Sequence, residues 1–292
     1  MIVGCGQKSA TTLTKSGLNP EDFNAERDGA TTALYTLTNK AGMEVCITNF
    51  GGRIVSIMVP DRNGEFKDVV HGFSTVQDYF PENHKTDFGA TIGRYANRIN
   101  QGKITVDGVE YQLPQNNYGH CLHGGPNGWQ YKVAEVVESD GSHVKLKFDS
   151  PDGEANFPGH VTAFVTFTLT EDNAIDINYE ATTDKTTVIN MTNHSYFNLS
   201  GDGNNSIEGN ELYINASNFT PVDDTFIPPA RSFLSRALPW ISVLLRRSAR
   251  TSMPTTTSFT TARVTTTTGF LIQRATRLPL QLNSTALKAE SC

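Results

Sequence analysis

Val161-Thr162-Ala163-Phe164-Val165-Thr166-Phe167-Thr168-Leu169, followed after a short polar break by Ala174-Ile175-Asp176-Ile177-Asn178-Tyr179-Glu180-Ala181, decides the fold. Successive side chains of a strand point to opposite faces, so Val161, Ala163, Val165, Phe167 and Leu169 share one side. Ile175, Ile177, Tyr179 and Ala181 answer them from the next strand, and Asp176, Asn178 and Glu180 take its opposite face. The same language runs through the preceding chain. Residues 33–39, 44–49 and 53–59 are short runs rich in Val, Ile, Thr and Tyr, broken by Lys40-Ala41-Gly42 and Gly51-Gly52. Asp61-Arg62-Asn63-Gly64 reads as a hairpin loop leading to residues 67–71. Asp107-Gly108 separates residues 103–106 from 109–113, and Asp140-Gly141 separates 133–139 from 143–149; both pairs favour tight hairpin turns. Only residues 75–80, with Tyr79 and Phe80, suggest a helical turn. Many short antiparallel strands joined by tight turns predict an all-β sandwich or barrel.

A chain of 292 residues can bury one large β core or two ordinary ones. Its net charge of −6 argues against nucleic acid as a partner. That average hides a reversal: residues 1–230 carry 15 Lys+Arg against 29 Asp+Glu, residues 231–292 carry 9 against 1. Beyond Pro229 the chain is rich in Arg and Thr, with Thr255-Thr256-Thr257 and Thr265-Thr266-Thr267-Thr268 and a single acid, Glu290. Residues 230–292 are therefore read as a tail that is either out of frame or a disordered, low-complexity segment. Residues 1–25 read as a polar leader, and 26–229 as the β domain.

Cys5, Cys46, Cys121 and Cys292 lack the spacing of a disulfide framework or zinc site, and Cys46 and Cys121 lie in apolar settings expected of core thiols. The longest apolar patch, residues 237–245, is too short to span a membrane. Ile2-Val3-Gly4-Cys5 resembles a lipoprotein cleavage box without the regions that precede one. This points to a periplasmic or lipid-anchored protein if a signal lies upstream, and to a cytoplasmic one otherwise.

Three segments carry chemistry. In Gly93-Arg94-Tyr95-Ala96-Asn97-Arg98-Ile99, the amide of Asn97 and the donor fork of Arg98 suit the vicinal hydroxyls of a sugar, although an isolated arginine more commonly pairs with a surface carboxylate. In Cys121-Leu122-His123-Gly124-Gly125-Pro126, the glycines allow backbone to approach a ligand, or His123 is simply a turn residue. A strand-like run, residues 187–191, leads into Thr192-Asn193-His194-Ser195-Tyr196-Phe197-Asn198-Leu199-Ser200-Gly201. A histidine where a strand ends can face a cleft and exchange protons near neutral pH, or can be a satisfied histidine within the sheet. Trp129, Tyr196 and Phe197 are either a platform for a pyranose or core.

Together and in this order, the three segments resemble the aldose 1-epimerase (galactose mutarotase) family. The likeness runs from about Thr31 to Pro228 and takes in Asn49-Phe50-Gly51-Gly52, Asn156-Phe157-Pro158-Gly159 and Thr220-Pro221-Val222-Asp223. The resemblance implies a large antiparallel β-sandwich, the galactose mutarotase-like supersandwich, here incomplete at its C-terminal end. It implies interconversion of the α and β anomers of free aldohexoses such as galactose and glucose. His194 would be the acid to the ring oxygen, with Asn97, Arg98 and His123 binding and polarising the sugar. The chemistry needs no cofactor; calcium is possible by the same resemblance, and no metal ligand is assigned. A small aldohexose is the expected partner, with no nucleic acid or membrane span, and the protein is expected to be a monomer. The family base is a glutamate near the C-terminus, in the region where this chain ceases to match, so weak activity or none is expected. Two other readings stand beside this one. The first is a carbohydrate-binding module without catalysis. The second is a hexose-6-phosphate epimerase, which would want a basic phosphate clamp that residues 31–228 lack beyond Arg94 and Arg98.

Overall fold

The structure is a computed structural model that describes residues 12–201, 203, 206–207, 210–212 and 218–228, together with short backbone pairings further on. Cys5, Cys292, Glu290 and the N-terminal cleavage box lie outside the described residues, as does nearly all of the 230–292 tail. A small hairpin of β1 (Ala25–Arg27) and β2 (Ala30–Thr32) precedes an antiparallel meander. The meander runs β3 (Leu34–Thr38), β4 (Glu44–Thr48), β5 (Arg53–Pro60) and β6 (Phe66–Asp68). Next come β7 (Thr91–Ile92), β8 (Arg98–Ile99), the hairpin of β9 (Lys103–Val106) and β10 (Val109–Gln112), and β11 (Cys121–Leu122). The second large sheet runs β12 (Glu135–Ser139), β13 (His143–Ser150), β14 (Val161–Leu169) and β15 (Ala174–Thr183). Backbone segments Leu280–Leu282 and Leu287–Lys288 pair with the outer side of β15, making six strands. The short β16 (Thr192–Asn193) leaves this sheet and pairs with β7.

The alternation of β14 and β15 sets the register. Ala163 faces Ala181, Val165 faces Tyr179, Phe167 faces Ile177 and Leu169 faces Ile175. The odd-numbered positions of β14 are all buried and the even-numbered ones half-exposed. They meet Leu37, Val45, Ile47, Ile54 and Ile57 from the meander in one continuous core, which makes the two sheets a sandwich. Each buried Val, Leu, Ile or Phe among them contributes about 1.5–3 kcal/mol by leaving water. The two Asp-Gly hairpins form where expected, with Val106 opposite Val109 and Ser139 opposite Val144. Gln77–Tyr79 is a 3-10 turn, as residues 75–80 suggested.

Strand β4 departs from simple alternation: all five of its residues are buried. Its second face is covered by Leu18, Phe23, Val76, Tyr79 and Phe80, which form a smaller core with Cys46, Phe50 and Val55. Residues 12–25, read from sequence as part of a polar leader, thus lie against the sandwich, with Phe23 fully buried and Lys15 N–H donating to Glu44 Oε1. Cys46 and Cys121 are buried free thiols, and desolvation raises both thiol pKa values, that of Cys121 to about 11.

Candidate active site

The segment 91–99 sits between two very short ladders, and each ladder delivers one histidine. On one side β7 pairs with β16, Thr192 opposite Ile92 and Asn193 opposite Thr91, so His194 emerges at the end of that ladder. On the other, β8 pairs with β11, Cys121 opposite Ile99 and Leu122 opposite Arg98, so His123 emerges next. The two imidazoles meet edge to face, with centroids 5.2 Å apart and planes at 89°. The strand expected at residues 187–191 does not form. Its backbone is engaged by the 94–96 segment instead: Asn190 N–H donates to Arg94 O (3.0 Å) and Ala96 N–H to Asn190 O (2.8 Å). The ladder is displaced to Thr192–Asn193.

Glycine is required where the segments touch. A Cβ at Gly93 would enter the indole of Trp129, and one at Gly124 would meet the Gly93 carbonyl. Trp129 itself is core: 1% exposed, it stacks on Phe148 at 5.1 Å between ring centroids. Tyr196 and Phe197 are exposed beside His194, with the Tyr196 ring 5.2 Å from that imidazole. Arg94 is buried and structural. Its guanidinium donates to Ser150 O, Pro158 O and Gly159 O, tying this segment to the Asn156-Phe157-Pro158-Gly159 turn.

His123 is locked in one tautomer. The Asn97 N–H donates to His123 Nδ1 (3.0 Å) while the His123 N–H donates to Asn97 O (3.0 Å). A ring nitrogen that accepts an amide proton carries none, so the neutral ring holds its proton on Nε2. Asn97 (φ +64°) and His123 (φ +52°) both take left-handed backbone conformations to close this exchange. Burial, with the neighbouring His194 and Arg98, pushes the His123 pKa down to about 3, so the ring is neutral near pH 7.

Arg98 does not pair with a carboxylate among the described residues. Its Nε and Nη2 donate to Asn117 Oδ1 (3.1 and 2.9 Å), its Nη1 to Asn97 Oδ1 (3.3 Å), and it stacks over Phe226. Phe226 follows the Thr220-Pro221-Val222-Asp223 segment, which therefore returns to the same cleft. Arg98, His123 and His194 are thus gathered in one place, with Asn97 bracing two of them.

Asp87, which no local pattern in the sequence singles out, completes the group. Its Oδ2 lies 3.8 Å from His123 Nε2, and ligand atoms of Asp87, His123 and His194 all fall within 4.8 Å of one another. With His123 neutral, the His123–Asp87 approach is not an ion pair. Desolvation raises the Asp87 pKa, opposed by His194 and the buried Arg53. Two imidazoles and one carboxylate do not match the six to eight oxygens that calcium takes. The proton on His123 Nε2 likewise faces the point where a transition metal would need a lone pair.

Over most of its described length the chain is similar to known proteins. Galactose mutarotase from Rattus norvegicus is 42% identical over 186 residues, covering 64% of this chain and 53% of that protein. Aldose 1-epimerase from Escherichia coli (strain K12) is 37% identical over 201 residues, covering 69% and 57%. The chain thus spans about half the length of the curated relatives it matches. Among solved structures, the GalM/aldose epimerase homologue from C. elegans superposes with a TM-score of 0.70 at 31% identity, covering 74% of this chain and 66% of that one. Galactose 1-epimerase from Lactobacillus acidophilus NCFM gives 0.68 at 27%, covering 77% and 66%. Residues 33–242 match the family model described as aldose 1-epimerase, and with two histidine segments and the Asn97-Arg98 turn converging on one cleft, the chain belongs to the aldose 1-epimerase family.

Proposed function

We propose that the protein acts on free aldohexoses such as galactose and glucose, exchanging their α and β anomers. The observation that carries this reading is the edge-to-face pair of His123 and His194 beside Arg98, with His123 Nδ1 held by the Asn97 N–H. Anomer exchange requires a base to take the proton of the C1 hydroxyl while an acid protonates the ring oxygen. The bond between C1 and the ring oxygen then breaks, the aldehyde turns about C1–C2, and the ring recloses on the other face of C1. No electrons are gained or lost, and two proton-transfer groups are enough. His194 is the acid in this scheme. His123 donates its Nε2 proton as a fixed hydrogen bond to a sugar oxygen, and Arg98 directs its donor fork at the hydroxyls. The glutamate base that the family supplies has no counterpart among the described site residues, so we expect exchange well below that of a complete enzyme.

Saturation-transfer NMR of α- and β-galactose tests this. Exchange faster than the buffer rate and abolished by His194→Gln supports the reading. Binding of galactose by calorimetry with exchange at the buffer rate supports a carbohydrate-binding module instead. Absence of both overturns the sugar-site reading.

A further inference from the structure

The carboxylate of Asp87 takes no part in the scheme above, yet the fold holds it firmly. The buried Arg53 guanidinium donates through Nη1 to Thr86 O (3.2 Å) and Phe88 O (2.9 Å), clamping the carbonyls on either side of Asp87. Two residues on, the strand segment bonds directly to the acid-bearing segment. Gly89 N–H donates to His194 O (3.1 Å), His194 N–H donates to Ala90 O (2.8 Å), and Asn193 Nδ2 donates to Gly89 O (2.8 Å). The backbones carrying Asp87 and His194 are therefore joined by three hydrogen bonds, with Arg53 clamping the Asp87 side. Side chains set on such a rigid frame keep one geometry through a catalytic cycle.

Asp87 Oδ1 is buried and has no hydrogen-bond partner among the described residues, while Oδ2 points among the imidazoles. The charged and titratable groups that face the carboxylate are His123, His194, Arg53 and Tyr131, and His194 in turn faces Tyr196. His123 cannot answer the charge by taking a proton, because its Nδ1 is occupied by the Asn97 N–H. Arg53 is spent largely on backbone carbonyls. That leaves His194 as the neighbouring ring to which the carboxylate couples.

We propose that Asp87 is a positioning residue for His194: its carboxylate, within 4.8 Å of the imidazole, couples electrostatically to that ring. The proposal rests on the reading of His194 as the acid for its catalytic meaning, but the coupling itself is measurable without turnover. Coupling between two sites is reciprocal, so it is read most cleanly at Asp87. Two charges less than 5 Å apart near a protein surface interact by about one pH unit or more.

The test is a carbon-13 NMR titration of the Asp87 side-chain carboxyl in the full chain, in the wild type, in His194→Gln and in His123→Gln. We expect His194→Gln to move the Asp87 midpoint upward by about one pH unit, because the cation that favoured the carboxylate is gone. His123→Gln should move it much less. An Asp87 midpoint that does not respond to His194→Gln, or that responds equally to both variants, overturns the proposal. Where anomer exchange is measurable, Asp87→Asn should lower kcat about tenfold with KM little changed. Asp87→Glu, which retains the charge, should restore part of the loss. Equal loss in both variants marks Asp87 as merely structural. Wild-type exchange at the buffer rate would sink the epimerase reading and leave the titration to decide the coupling by itself.

Discussion

His123 and His194 come from segments more than seventy residues apart, yet their rings sit perpendicular with centroids 5.2 Å apart, each at the end of a two-residue ladder. The ladders differ in what they do to the ring. His123 is pinned by the Asn97 N–H, whereas His194 is fixed through its own backbone, to Ala90 O and Gly89 N. One ring is thus fixed through its side chain and the other through its main chain.

Replacing His194 should separate chemistry from recognition. His194→Gln is expected to lower the rate of anomer exchange by at least about 100-fold, with galactose affinity changed less than about threefold. Saturation-transfer NMR for turnover and calorimetry for binding read the two effects. Affinity falling in step with turnover would assign the ring to recognition.

The pinned partner should make the protein sensitive to acid. The folded-state pKa of His123 is pushed down to about 3, against about 6.5 for a free imidazole. Between those values the unfolded chain binds a proton that the folded protein does not. Stability from this group is therefore fully present above about pH 6.5 and is lost as pH falls toward 3. The loss should reach about 3 kcal/mol by pH 4. His123→Gln, whose amide oxygen can still accept the Asn97 N–H, should flatten that part of the profile. Urea unfolding between pH 7.5 and 4 checks it, and parallel curves for the two proteins would refute it.

Arg98 owes its direction to an amide oxygen that accepts from two of its nitrogens, Asn117 Oδ1 at 3.1 and 2.9 Å. Lysine cannot reproduce that fork. Both Arg98→Lys and Asn117→Ala should therefore weaken galactose binding by about tenfold, a loss of about 1.4 kcal/mol. The fold should survive each change, as thermal denaturation would show. An unaltered dissociation constant for either variant would place the sugar elsewhere.

Gly93 marks a contact that a single methyl group can spoil. A side chain there enters Trp129, which has Phe148 stacked against it and no room to retreat. Gly93→Ala should cost about 1–3 kcal/mol of stability. A lowered denaturation midpoint with an unchanged urea m-value is the expected signature.

The sheets were plainly legible. The odd-numbered positions of β14 and their partners on β15 could be assigned to one face before any coordinates, because a period of two leaves little choice once one face is apolar. The Asp-Gly turns fixed the neighbouring hairpins by the same local logic. Arg98, His123, His194 and Asn97 were also visible, since each lies in a distinctive segment. Asp87 was not: in Thr86-Asp87-Phe88-Gly89 it has no periodic or turn signal, and it matters only because Arg53 clamps its flanking carbonyls. Asn117 was missed for a related reason, because its role depends on β11 folding back beside β8. The run at 187–191 misled because its β-branched residues favour a strand, whereas the 94–96 backbone exchanges bonds only with Asn190, accepting one and donating one.

Pairing of β7 with β16 joins positions a full hundred residues apart, with Asn193 registered against Thr91. Closing so large a loop for a two-residue ladder is slow and weakly rewarded on its own, and it becomes favourable only once the neighbouring sheets have condensed. The sandwich is thus the early product of folding and the cleft the late one. During synthesis the ribosome must release the chain beyond residue 194 before Gly89 and Ala90 can pair with His194. Hydrogen exchange should reflect that history, with the amides of Gly89 and His194 opening to solvent well before those buried between β13 and β14.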